Sequence, residues 1–226
     1  MEKDDFVKGH RQRAKEKFRS LPISNFENYE LLELLLMHTL PRIDVKPLAK
    51  ALLKEFGSLS QIIYATPQQL KKCPYIKESS ITLFKLIQAF SQRMLSEKIK
   101  QNPILEDWDS LLEYCKATMA FKEMETFHCL FLNSACQLIL DEEVQKGTVN
   151  QTPVYPREIL KKALEVGATS VILAHNHPSG DSHPSKADIV MTRKIVETLS
   201  AADITVHDHL IISPSENTSL KSLGLF

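Results

Sequence analysis

Two histidines and an aspartate at a defined spacing are the residues of this chain best suited to chemistry. They lie in the stretch HNHPSGDSHPSKAD (175–188), which follows an apolar run, SVILA (170–174), and leads into an amphipathic segment. In an extended segment alternate side chains share a face, so His175 and His177 should point the same way. Asp188 can return to them from the next helix once the intervening loop has turned the chain.

These three side chains form a donor set that suits a catalytic zinc ion. Nitrogen and oxygen ligands bind Zn²⁺ well, and three of them leave the fourth tetrahedral position for water. Such a zinc ion lowers the pKa of water toward about 7, which makes hydroxide available at neutral pH. A His-x-His pair alone is more often structural, so the interpretation depends on the complete spacing.

The complete spacing resembles the JAMM motif of the MPN/JAB metalloproteases. His175-x-His177-Pro178 is followed after six residues by Ser185 and after two more by Asp188, which matches the motif at each defined position. Further stretches look like the RadC branch of that family, historically called a DNA repair protein. They are GHRQRAKEKF (9–18), ELLELLL (30–36), LLKEFGSL (52–59), GTVNQT (147–152), PREILKKAL (156–164) and DHLIIS (208–213). The resemblance therefore covers nearly the whole chain.

The resemblance implies a zinc-dependent hydrolase with Zn²⁺ as cofactor and a protein or peptide as substrate. It would cleave a peptide or isopeptide amide, with His175, His177 and Asp188 as metal ligands. The family also uses a glutamate ahead of the first strand of the domain, and Glu125 in EMETFHCLFLN takes that place. A carboxylate within reach of the attacking water is the general base that this chemistry needs. Glu123 and the acidic run 141–143 are competing candidates, and Glu125 could instead be an ordinary carboxylate at a strand edge.

Ser185 has two open interpretations. By the family pattern its hydroxyl would donate a hydrogen bond to the oxyanion of the tetrahedral intermediate. A serine directly ahead of KADIV is also well placed to cap the amino terminus of a helix. A second His-x-His pair, His207 and His209, lies on a probable strand, where hydrogen bonding beside the sheet is favoured over metal ligation.

A DNA-associated repair or recombination accessory protein, with a structural or vestigial metal site, is the alternative function. The amino-terminal region of RadC proteins looks like a helix-hairpin-helix unit, which presents backbone N–H groups to DNA phosphates. The corresponding stretch here, LKKCPYIKESSITLFKL (70–86), has no glycine for close approach of the backbone, and Pro74 stiffens it. Lys71, Lys72 and Lys77 would then support only weak, nonspecific DNA binding.

The periodicity of the chain predicts two domains of different class. Residues 1–102 show helical patterns only, including a helix over 44–57 that ends at Gly57. KQNPILEDW (100–108) is a plausible linker. Residues 103–226 interleave strand-like and helical runs, which indicates a mixed α/β domain of the JAMM/MPN type after an all-helical, degenerate helix-hairpin-helix domain.

Composition limits the class of protein further. The 226 residues have no formal net charge, yet residues 1–100 hold 18 Lys and Arg against 11 Asp and Glu, which makes the amino-terminal half basic. Such an excess is a possible nucleic-acid footprint, although it is often only a solvated helix face. The four cysteines show no Cys-x-x-Cys spacing, and no run approaches a membrane span. We therefore expect a cytoplasmic protein without a membrane partner, and its oligomeric state stays open.

Overall fold

A computed structural model describes residues 2–147 and 154–226, with side chains from residue 9 onward. The chain forms two compact units, Met1–Phe90 and Ser91–Phe226. The division falls inside one long helix, whereas the predicted domain boundary at 102/103 lies just after that helix. That boundary stays a prediction.

The first unit is helical throughout its described part. Its elements are α1 (Glu2–Ser20), a short 3-10 helix (Ile23–Asn25), α2 (Asn28–Thr39), α3 (Lys46–Phe56), α4 (Leu59–Tyr64), α5 (Pro67–Lys72) and the start of α6 (Glu78–Gln101). Thr66 caps α5 through a reciprocal capping box with Gln69, and Pro67 opens the helix. Gly57 ends α3 with φ 86°, a backbone conformation that side chains disfavour. The core is made of aliphatic and aromatic side chains from these helices, among them Leu32, Leu36, Leu52, Ile62, Leu70 and Phe84.

The second unit is a mixed α/β fold, as predicted. After the end of α6 it contains α7 (Trp108–Met119), β1 (Thr126–Leu132), β2 (Leu138–Lys146), α8 (Pro156–Val166), β3 (Ser170–Asn176), α9 (Lys186–Ser200), β4 (Thr205–Ile212) and β5 (Asn217–Ser219). The strands form one sheet in the order β2-β1-β3-β4-β5. Strand β3 pairs antiparallel with β1 and parallel with β4, which makes the sheet mixed.

Helices cover both faces of this sheet. On one face Leu130, Ile172 and Leu210 pack with buried residues of α7. On the other face Phe127, Leu173 and neighbouring side chains pack with buried residues of α8 and α9. Each residue of β3 is buried, as expected for a central strand between two helical layers. None of the described helices combines the length and apolar character needed to cross a membrane.

Candidate metal centre

The structure brings the three predicted metal ligands together at the carboxyl end of β3. The Nε2 atoms of His175 and His177 lie 3.0 Å apart. Asp188 Oδ1 lies 3.6 Å from His175 Nε2, and Asp188 Oδ2 lies 3.8 Å from His177 Nε2. One ligand atom from each residue falls within 4.8 Å of the others. Two imidazole nitrogens and a carboxylate thus converge on one small volume.

Strand alternation directs the two imidazoles toward this volume. His175, the penultimate residue of β3, faces the α8/α9 side, where its ring stacks on Phe127 with centroids 6.0 Å apart. His177 follows the strand, and its backbone N–H donates to Ile212 O at 3.0 Å. Its Nδ1 lies 2.7 Å from Asp181 O, a backbone acceptor, so in the neutral form of the ring, which is the form that binds metal, Nδ1 carries the hydrogen and Nε2 is bare. Between them Asn176 faces the opposite side of the sheet.

The amino terminus of α9 holds Asp188. Ser185 is the N-cap, and its backbone N–H and hydroxyl donate to Asp188 Oδ2 at 2.8 and 2.6 Å. In return the Asp188 backbone N–H donates to Ser185 Oγ at 3.1 Å. This capping box is stabilising because it satisfies free N–H groups in the first turn of the helix and places a negative charge there. The oxygen Oδ1 is the one that faces His175.

Burial sets the charge state of the imidazoles. His175 and His209 are 2% and 0% exposed. Loss of hydration lowers the pKa of His175 to about 4, partly opposed by the Asp188 carboxylate, and lowers the pKa of His209 well below its usual range. His175 is therefore neutral at physiological pH, which is the form in which histidine binds metal.

Glu125, the predicted base, lies at the same end of the sheet. It directly precedes β1, two residues before Phe127, which pairs with His175 in the β1–β3 ladder. Asn176 fastens this segment, because its Oδ1 accepts the Thr126 backbone N–H at 2.7 Å and its Nδ2 donates to Met124 O at 3.2 Å. The backbone is thus held on both sides of Glu125. Sequence reasoning did not identify this role of Asn176, since only its position between two histidines marked it.

Two of the competing carboxylates of β2, Asp141 and Glu143, bind other side chains. Asp141 accepts from Tyr114 Oη and lies 2.8 Å from His128 Nδ1. Glu143 Oε2 accepts from Lys122 Nζ at 2.6 Å. His128 and Glu143 pair across the β1–β2 ladder, and His128 alternates with Phe127 along β1, so this polar cluster lies on the face opposite His175.

Three further histidines, His183 in the motif loop and the pair His207 and His209, lie outside the three-residue cluster. His183 is 88% exposed at its side chain and bonds Asp181 Oδ1 at 2.6 Å. His207 Nε2 lies 3.8 Å from Cys136 Sγ. His209, by contrast, is a hydrogen-bond partner of His175 Nδ1 at 2.8 Å and of Thr192 Oγ1 at 2.6 Å. Sequence reasoning favoured hydrogen bonding for His209 but missed Thr192, whose only signal was a polar residue among the apolar positions of α9.

Comparison with known proteins agrees with this geometry. The family model described as RadC-like JAB domain matches residues 105–225. The chain is also 42% identical over 219 residues to the UPF0758 protein SPO0054 of Ruegeria pomeroyi. The aligned region covers 97% of this chain and 98% of that protein. This chain belongs to the RadC-like JAB domain family. The matched range contains the three converging residues as well as Glu125 and Ser185.

Two RadC-like features have different outcomes. Most of the GTVNQT stretch, residues 148–152, lies outside the described residues. The stretch that corresponds to the amino-terminal hairpin comprises α5, residues 73–77 and the start of α6, and it lacks glycine. It turns with Tyr75 at φ 70°, and the tyrosine side chain is exposed at the turn. The ammonium of Lys71 pairs with Glu78 at 2.7 Å, while Lys72 and Lys77 are exposed.

Proposed function

We propose that this RadC-like protein is a zinc-dependent hydrolase of the JAMM type that cleaves a peptide or isopeptide amide. The observation that carries the proposal is the convergence of His175, His177 and Asp188 at the end of β3. Family membership adds support, because the matched JAB domain is related to the JAMM proteins.

The residues fit a zinc ion chemically. His177 presents a bare Nε2 because its Nδ1–H is bound to Asp181 O, and Asp188 presents Oδ1 while Ser185 holds Oδ2. Two nitrogens and one carboxylate oxygen match the ligand number and types of catalytic zinc sites. When bound, zinc supplies a water of lowered pKa and a Lewis acid for the substrate carbonyl.

Glu125 is the proposed general base. It lies at the same end of the sheet as the metal ligands, and hydrogen bonds of Asn176 on either side fix its backbone. Asp141 and Glu143 are bound on the opposite face, which removes two competitors. Glu125 would accept a proton from the attacking water and return it to the leaving amine, as a general base and acid does in amide hydrolysis.

Ser185 is the N-cap of α9 in the structure. We propose that its hydroxyl also donates a hydrogen bond to the oxyanion of the tetrahedral intermediate. Its hydroxyl hydrogen points to Asp188 Oδ2 at 2.6 Å. Donation to an oxyanion therefore requires this hydrogen to turn away from Asp188. Coordination of Asp188 to a cation would favour that turn, because it withdraws electron density from the carboxylate.

A metal assay and a hydrolysis screen together test the proposal. The purified protein should contain about one zinc per chain, and the double variant His175→Ala, His177→Ala should lose it while staying folded. The zinc-loaded protein should hydrolyse members of a peptide and isopeptide library, and the double variant should not. A folded parent that binds no divalent metal at neutral pH would contradict the zinc site; zinc binding without hydrolysis across the library would contradict the hydrolase.

DNA association is the second candidate function, favoured by the exposed Lys72 and Lys77 beside the amino-terminal hairpin. Contacts of this kind are electrostatic and independent of sequence, so binding should fall steeply with salt. Fluorescence anisotropy with labelled duplex DNA at 50 and 200 mM salt measures this. Equal binding by the Lys72→Glu, Lys77→Glu variant would contradict a role of the hairpin.

A further inference from the structure

A buried series of hydrogen bonds connects two of the proposed metal ligands, His175 and Asp188, through atoms that do not face the proposed metal position. His175 Nδ1 lies 2.8 Å from His209 Nε2, and His209 Nδ1 lies 2.6 Å from Thr192 Oγ1. The Thr192 hydroxyl donates to the backbone carbonyl of Asp188 at 2.6 Å. His209 and Thr192 are both 0% exposed, so no water competes for these bonds.

The acceptor at the end of the series fixes the direction of each hydrogen bond. A carbonyl oxygen only accepts, so the single hydrogen of Thr192 Oγ1 points to Asp188 O. His209 Nδ1 must then donate to Thr192. In this dry site beside Phe127 an uncharged ring is favoured, which leaves His209 Nε2 bare and able to accept only. His175 Nδ1 therefore carries a hydrogen, and His175 Nε2 does not.

The bare Nε2 of His175 faces His177 within the cluster. The neutral form of His177 also has a bare Nε2, because Nδ1 of that ring donates to Asp181 O. Two nitrogen lone pairs thus face each other at 3.0 Å, with the Asp188 carboxylate beside them. Such an arrangement is repulsive without a cation and favourable with one. Metal-binding histidines in general donate their second N–H to an acceptor, which fixes the ring and its tautomer.

We propose that His209 and Thr192 are positioning residues of the metal site. They hold His175 in the tautomer that presents Nε2, and they link its ring to the turn of α9 that carries Asp188. Neither residue reaches the reacting atoms. The inference rests on the metal centre of the proposed function and adds the residues that set its affinity.

Zinc affinity measured by competition with a chromophoric chelator tests this role. Thr192→Val keeps the shape of the side chain but removes the hydroxyl, so His209 loses its acceptor and can change tautomer. The dissociation constant for zinc should rise roughly 10- to 100-fold. Thr192→Ser keeps the hydroxyl and should retain the parental value.

Thr198→Val is the matched control. Thr198 lies on the same helix and donates to Lys194 O at 2.8 Å, but it contacts no histidine in this network. Parental affinity is expected for this variant. If folded Thr192→Val binds zinc as tightly as the parent, the inference is wrong while the zinc site stands. If the parent binds no zinc, the proposed zinc site and the positioning role are both wrong.

Nitrogen-15 NMR of the histidine rings in the metal-free parent gives a second readout that needs neither a variant nor a substrate. His175 and His209 should each carry their hydrogen on Nδ1. A hydrogen on Nε2 of His209 would overturn the inference, whatever the fate of the Thr192 variants.

Discussion

The residues that come together near the carboxyl end of β3 have separate proposed roles, some in metal binding and one in proton transfer. His175, His177 and Asp188 present ligand atoms within 4.8 Å of one another, whereas Glu125 lies ahead of β1 and is not one of them. The two roles should therefore be separable by substitution.

Glu125→Gln keeps the size of the side chain but cannot accept a proton. We expect it to bind zinc with parental affinity and to lose hydrolysis about 10²- to 10⁴-fold. Asp188→Asn should instead weaken zinc binding itself, because the amide is a poorer ligand than the carboxylate. Zinc titration and turnover measured on both variants check this, and full turnover by Glu125→Gln would place the base elsewhere.

The buried histidines predict a pH dependence of stability for the metal-free protein. Burial lowers the pKa of His175 to about 4, whereas in the unfolded chain it keeps its ordinary value of 6.5. The unfolded state therefore binds the proton first as the pH falls. The contribution of His175 to the free energy of unfolding is complete above pH 6.5 and is lost between pH 6.5 and about 4. At pH 5 the loss from this residue is on the order of 2 kcal/mol.

Urea unfolding of the chelator-treated protein at pH 7 and pH 5 measures this loss. His175→Gln should lose less stability between the two pH values than the parent, since one buried imidazole is gone. His183→Gln, which removes an exposed imidazole, is the control and should keep most of the parental loss. Equal losses in His175→Gln and the parent would contradict the prediction.

Among the secondary-structure elements, helix α9 contributes two residues to the proposed metal site: the ligand Asp188 and Thr192, which bonds His209. Asp188 lies in its first turn and Thr192 one turn later, and both are buried. The N-cap that starts the helix therefore also orients the metal ligand.

Ser185→Ala should for this reason have two effects. Loss of the cap should lower the free energy of unfolding by about 1 kcal/mol. Loss of the bond to Asp188 Oδ2 should also weaken zinc binding. Ser58→Ala is the matched control, because Ser58 caps α4 by accepting the Gln61 N–H but lies in the first unit. Thermal unfolding of both variants measures the loss of stability, and zinc titration measures the loss of affinity. Unchanged zinc affinity in Ser185→Ala would contradict the role of the cap in orienting Asp188.

For the chain as a whole, the predicted domain boundary at 102/103 lies in the segment that connects two helices. Helix α6 ends at Gln101 and α7 begins at Trp108. Asn102 and Leu105 between them are exposed, while Ile104 is buried and its N–H donates to Cys136 O at 2.8 Å. This short connection is the segment where a protease should find accessible, non-helical backbone.

Limited proteolysis should cut first within residues 98–108 and leave a carboxy-terminal fragment that retains zinc. The reason is that residues after the connection supply most of the second unit's core, apart from Ile99 of α6, and all three proposed ligands. Mass spectrometry of the fragments, with metal analysis of the isolated carboxy-terminal piece, checks the result. First cuts outside residues 98–108, with this connection intact, would indicate that the boundary lies elsewhere.

Local periodicity and spacing in the sequence were enough to predict several features of the fold and the site. Strand alternation directed His175 and His177 to one side, the N-cap pattern predicted the start of α9, and interleaved strands and helices predicted the mixed α/β class. Each of these follows from the geometry of a few consecutive residues, so no distant contact was needed.

Contacts between residues far apart in the chain could be identified only in the folded protein. It joined His209 to His175 and Thr192, fastened the segment around Glu125 to Asn176, and paired the short strand β5 with β4. It also separated Glu125 from Asp141 and Glu143, which sequence spacing could not do. Such contacts depend on the strand order β2-β1-β3-β4-β5, and strand order is set by packing of both sheet faces rather than by any local pattern.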